Sequence, residues 1–156
     1  MKKFISIHII LLTLILMPLV ATSTRMSHAG EKIYIRSNTQ VVLDALTVYN
    51  PTKRQCDKTP LITASNSKIN VDHLKNQNIR WMALSRDLLK RWSGEFHYGD
   101  TVLVSAGDSQ IDGLWVIKDT MNRRFKKRGD LLFDKEVRKL GKWKKVEISK
   151  VSFLTL

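Results

Sequence analysis

Three aspartates are the residues best placed to do chemistry. Asp57 lies in Cys56-Asp57-Lys58-Thr59-Pro60, Asp119 ends the apolar run Leu114-Trp115-Val116-Ile117-Lys118, and Asp130 opens Asp130-Leu131-Leu132-Phe133 after a basic stretch. Each is expected where a strand meets a loop. Singly, carboxylates at such places cap turns or face solvent; brought together, they can trade protons with a substrate. The other reactive side chains are few. Beyond residue 29 the histidines are His73 and His97, too few for a His-based triad or a zinc site. His97, within Phe96-His97-Tyr98-Gly99-Asp100, reads as a turn residue, and His73 as a solvated one. Cys56 is the single cysteine, so no intramolecular disulfide forms, and a thiol with no recognisable base beside it is a weak candidate nucleophile. The chain has no Gly-rich phosphate loop, no GxSxG and no HExxH. No cofactor is expected, and no EF-hand loop is present that would hold a metal.

The elements that must position these acids are mostly strands. Segments rich in β-branched and aromatic residues recur at 33–35, 41–49, 79–84, 101–105, 114–118, 131–133 and 145–153. Two helical pieces interrupt them, one opening at Ser85 with Leu88, Leu89 and Trp92 on one side, the other opening at Asp134 and closing at Gly141. Residues 50–78 are polar and turn-rich, with Pro51, Pro60 and many Asn and Ser residues, and read as a long surface loop. Irregular strands without a strand-helix alternation point to a mainly β domain, a small closed or nearly closed barrel rather than a doubly wound sheet.

Met1-Lys2-Lys3 followed by the apolar run from Phe4 to Ala21 reads as a signal peptide over residues 1–29, with cleavage best placed after Ser27-His28-Ala29 or near Ala21 to Ser23. An uncleaved membrane anchor is the alternative, since a run of about 18 residues is near the spanning minimum. Export to the periplasm or the cell exterior follows from either. Residues 30–44 would form an N-terminal arm or first strand, and 45–156 the domain proper. The whole chain of 156 residues carries 27 Lys and Arg against 14 Asp and Glu. Without residues 1–29 the balance is 24 to 14, still +10. In an exported protein that charge favours anionic envelope polymers or a membrane surface over nucleic acid, for which no recognition motif is visible.

Several segments, in order, resemble the three-aspartate (3D) domain: Thr47-Val48-Tyr49-Asn50-Pro51, Asp57-Lys58-Thr59-Pro60-Leu61-Ile62-Thr63-Ala64-Ser65, Ala83-Leu84-Ser85-Arg86-Asp87-Leu88, Tyr98-Gly99-Asp100-Thr101-Val102, Val116-Ile117-Lys118-Asp119-Thr120-Met121-Asn122 and Asp130-Leu131-Leu132-Phe133. The resemblance spans about residues 45 to 151. Asn66 departs from it, standing where the family commonly has Gly, although Asn tolerates a positive φ better than most residues.

The resemblance implies a small six-stranded double-psi β-barrel with two short helices, related to the catalytic domain of membrane-bound lytic transglycosylase A and to small stationary-phase wall lytic proteins. It implies cleavage of peptidoglycan glycan strands between N-acetylmuramic acid and N-acetylglucosamine, leaving a 1,6-anhydromuramyl end, by a monomer that uses one carboxyl as acid and then base. Its namesake acids match Asp57, Asp119 and Asp130. Asp130 is the expected acid/base and Asp119 the residue that sets its proton affinity, with the reverse order open; Asp57 would fix the loop or bind sugar. Thr47, Thr59 and Thr63 would orient substrate or carboxylates, or simply cap turns. Tyr49 and Trp115 would stack on sugar or belong to the core, and Arg123 and Arg124 would attract anionic stem peptides. The competing function is a non-catalytic barrel that binds wall polysaccharide.

Overall fold

The computed structural model describes residues 33–137 and 139–154, with the side chains of 33–36 and 154 left aside. The proposed signal peptide over 1–29 lies outside the described residues. Seven strands make one mixed sheet: β1 (Ile33–Leu43), β2 (Ala45–Tyr49), β3 (Trp81–Leu84), β4 (Thr101–Ser105), β5 (Gly113–Thr120), β6 (Arg128–Leu132) and β7 (Val146–Leu154). Their order across the sheet is β1-β7-β4-β5-β3-β6-β2. The β2–β6 and β3–β5 pairs are parallel; the other neighbours are antiparallel.

Seven strands are present, where the resemblance implied six, and the run 41–49 is not one strand: its first part joins 33–35 in β1 and its last part forms β2. It bends at exposed Asp44, whose backbone N–H donates to the Lys127 carbonyl at 2.8 Å. Before the bend the chain pairs with β7, after it with β6. As a hydrogen-bonded ladder the sheet is open, with β1 and β2 at its two ends, yet these ends are consecutive in the chain. Of the segment 30–44, expected as an N-terminal arm or first strand, residues Ile33–Leu43 form β1.

Alternation along the strands separates two apolar clusters. Leu46, Met82, Leu84, Trp115, Ile117 and Leu131 face the larger one. Trp115 is 1% exposed, donates its indole N–H to the Ile111 carbonyl at 2.7 Å and packs 5.6 Å from the Phe133 ring. It belongs to the core, where full burial of a large side chain stabilises by about 1.5–3 kcal/mol, and it is not available to stack on a sugar. Tyr49, Ala83 and Leu132 face the smaller cluster, covered by Ile69 and Leu74 from the 50–78 segment.

That segment is not all loop. It carries a one-turn helix α1 (Val71–Lys75), capped by the Asn70 side chain, which accepts the His73 N–H. The helical piece expected at Ser85 is instead two 3-10 turns, Arg86–Leu88 and Lys90–Trp92. The Ser85 hydroxyl does not cap the first; it accepts the Arg128 N–H at 3.0 Å and so joins the turn to β6. The piece expected at Asp134 is likewise a single 3-10 turn, Lys135–Val137.

Candidate functional site

Register places the acids. In the sheet Thr47 of β2 stands opposite Asp130 of β6, Asp130 opposite Ala83 of β3, and Ala83 opposite Asp119 of β5. Partners side by side in a sheet share a face, so Asp119 and Asp130 rise on either side of Ala83. Two strand spacings of about 4.8 Å put their backbones about 10 Å apart, and the single methyl of Ala83 leaves the space between them open.

Asp119 reaches this face through an irregularity. Trp115 and Ile117 point into the core, and strict alternation would send residue 119 after them. The register, however, shifts from Met82 opposite Ile117 to Ala83 opposite Asp119, leaving Lys118 as the extra residue of a bulge. One extra residue reverses the facing of everything after it. Asp119 is thereby turned to the same side as Asp130.

Both carboxyls are held. Asp119 Oδ1 accepts the backbone N–H of Ala64 at 2.9 Å and of Thr120 at 2.8 Å, and Oδ2 accepts the Tyr49 hydroxyl at 3.1 Å. Three donors from three segments fix its orientation and tie the 50–78 loop to the sheet. Asp130 Oδ1 accepts the Thr47 hydroxyl at 2.9 Å. Burial pushes Asp130 up to about 6, because losing water penalises the charged form; the Thr47 hydrogen bond opposes this and the negative charge of Asp119 adds to it. Burial, with Asp119 next, also raises the Tyr49 hydroxyl well above its ordinary value, so it stays a donor.

Asp57, Asp119 and Asp130 all line one cavity of about 490 Å³, within the range of roughly 300–1,000 Å³ common for ligand sites. Asp57 differs from the other two. It is exposed, and its Oδ1 accepts the Thr59 N–H at 2.7 Å and the Thr59 hydroxyl at 3.0 Å, a local turn with no bond to Asp119 or Asp130. Thr59 is therefore engaged by Asp57. Thr63 is buried, and its hydroxyl lies within hydrogen-bond distance of the Ser65 hydroxyl and the Ser67 carbonyl, inside a turn whose Asn66 has a φ of 61°. The Asn at this place does adopt the conformation that favours Gly.

Tyr49 and Arg124 line the cavity; Arg123 is exposed and lies outside it. Cys56 also lines it, but burial raises its thiol, which keeps the proton on sulfur and weakens it as a nucleophile. His97 is exposed in its turn, its N–H donating to Asp100 at 2.8 Å, and His73 is exposed in α1. Among the described residues, no three His, Cys, Asp or Glu side chains converge as a metal site. Sequence reasoning did not single out Arg86, which lines the cavity from the exit of β3, nor the Ala64 N–H that orients Asp119. The position of Arg86 within the Ala83–Leu88 segment was the available signal for the first.

No protein-family model matches the chain, and no curated protein matches it either.

Proposed function

We propose that the protein is an exported lytic transglycosylase of peptidoglycan, built on a double-psi β-barrel of the three-aspartate type. The observation that carries this reading is the pairing of Asp130, whose proton affinity burial raises, with an oriented Asp119 across Ala83, in a cavity of saccharide size. The barrel assignment is favoured by the two parallel pairs joined through antiparallel β3–β6, and by sheet ends that run into each other at Asp44.

In this mechanism the Asp130 carboxyl donates its proton to the glycosidic oxygen, and the N-acetylglucosamine leaves as an alcohol. Positive charge builds on the anomeric carbon of the muramic acid, and the Asp119 carboxylate stabilises it. Asp130, now a carboxylate, takes the proton of the muramic C6 hydroxyl as that oxygen closes on the anomeric carbon. Water is not consumed, and Asp130 ends as it began. Thr47 holds Asp130, while Tyr49 and the Ala64 and Thr120 N–H groups hold Asp119.

Digestion of purified sacculi by the mature domain, followed by mass spectrometry, tests this. Anhydromuropeptides are expected. Reducing ends would replace the transglycosylase by a hydrolase, and the absence of any release would reject catalysis. Sacculus binding that survives Asp→Asn replacement at 57, 119 and 130, with no product from the wild type, would establish the polysaccharide-binding barrel instead.

A further inference from the structure

The cavity has a basic wall as well as an acidic one. Arg86 and Arg124 line it together with the three aspartates. Arg86 leaves β3 three residues after Ala83, between the strands that carry Asp119 and Asp130. Its guanidinium lies 5.1 Å from the centre of the Trp92 ring, and among the described residues no carboxylate forms an ion pair with it. Its Nε is buried and has no hydrogen-bond partner. Asp87, next in the chain, does not serve as one: its Oδ2 accepts the Lys127 N–H at 3.0 Å, and its Oδ1 is itself buried without a partner. Arg124 packs 4.8 Å over the Phe125 ring and likewise has no acid partner among the described residues.

A guanidinium carries five donors in a planar fork suited to a carboxylate, and leaving a shielded donor unmatched is costly. Arg86 thus lines a cavity that already holds the reacting acid, and no carboxylate among the described residues is ion-paired with its guanidinium. Resting on the peptidoglycan reading, we propose that Arg86, with Arg124 lining the same cavity, is a carboxylate subsite that binds the lactyl arm of N-acetylmuramic acid, through the arm's own carboxylate or that of an attached peptide. N-acetylglucosamine is the same sugar without that arm. The subsite thus determines which of the two alternating sugars occupies the position whose C6 hydroxyl faces Asp130, and hence which glycosidic bond is cut.

Nuclear magnetic resonance titration of the wild-type domain with N-acetylglucosamine, N-acetylmuramic acid and N-acetylmuramyl-L-alanyl-D-isoglutamine tests the assignment. None of these holds the scissile bond, so the outcome is independent of catalysis. At least one acidic ligand is expected to bind about tenfold more tightly than N-acetylglucosamine. Preference for N-acetylmuramic acid would assign the arm's own carboxylate, and preference for the dipeptide ligand alone would assign the peptide's. Arg86→Gln is expected to erase the preference and Arg86→Lys to keep part of it; Arg124→Gln serves as the second variant should the Arg86 replacements not fold. Equal affinity for all three ligands, or a preference untouched in Arg86→Gln, would overturn the subsite. A muramic acid preference in a protein that releases nothing from sacculi would instead reject the transglycosylase while leaving the subsite standing.

Discussion

Asp119 and Asp130 stand opposite the same residue, Ala83, on the two strands that flank it. They are 11 positions apart in the chain, yet the parallel β3–β5 and antiparallel β3–β6 pairings bring them level on one face. Burial raises the proton affinity of one acid, and three donors pin the other.

Asp130→Asn keeps the shape of the side chain and removes the proton donor. Release of anhydromuropeptides is expected to fall at least about 100-fold, as for loss of a general acid. The same variant should melt at a higher temperature than the wild type at pH 7.5, since an amide carries no charge to desolvate. Circular dichroism melts and product analysis on one protein sample measure both.

The proton on Asp130 sets a pH dependence. Because its folded-state value is about 6 and must be protonated to act, kcat/KM is expected to fall as pH rises through about 6. Stability moves the same way. The unfolded carboxyl titrates near about 3.9, so between that pH and 6 the folded state binds more protons than the unfolded one. The stability that Asp130 contributes is full below the unfolded value and lost as pH rises through the folded one, an effect of up to roughly 3 kcal/mol. Urea melts from pH 4 to 8, compared with those of Asp130→Asn, isolate this contribution.

Thr47→Val removes the hydrogen bond that favours the charged form of Asp130. The alkaline limb of the rate profile should therefore move to higher pH than in the wild type. A limb that stays in place or moves down would show that Thr47 does not tune the acid.

Asp57 separates an acid that reacts from one that shapes a loop. Asn can accept the Thr59 N–H as Asp does, so Asp57→Asn should retain the turn and lose less than about tenfold in release rate, far less than Asp130→Asn. Asp57→Ala, which loses the turn, should cost about 0.5–1.5 kcal/mol in a thermal melt. A loss in Asp57→Asn as large as that in Asp130→Asn would give Asp57 a direct part in the reaction.

The strands were legible because β-branched and aromatic residues mark them, and β4 agrees with its segment at both ends. β6 begins earlier than its apolar residues suggest, at Arg128 and Gly129, because its polar start pairs with Ala45 and Leu46. The break at Asp44 was hidden, since no Gly or Pro marks it and only the change of partner from β7 to β6 creates it. The three acids were singled out from the segments around them; the cavity that all three line is visible only in the folded chain. The bulge at Lys118 was not: alternation through Trp115 and Ile117 points Asp119 inward, and only the Met82–Ala83 pairing reveals the reversal. Nor do backbone donors such as the Ala64 N–H leave a mark in residue types.

The strand order has a consequence for how the chain is made. β1 finds its partner in β7 and β2 in β6, so the first two strands to be synthesised wait for the last two. Contacts so distant in sequence form slowly. A polypeptide with this wiring has no complete sheet until β7 is made, whereas the residues that line the cavity, from Tyr49 to Asp130, are all in place before it.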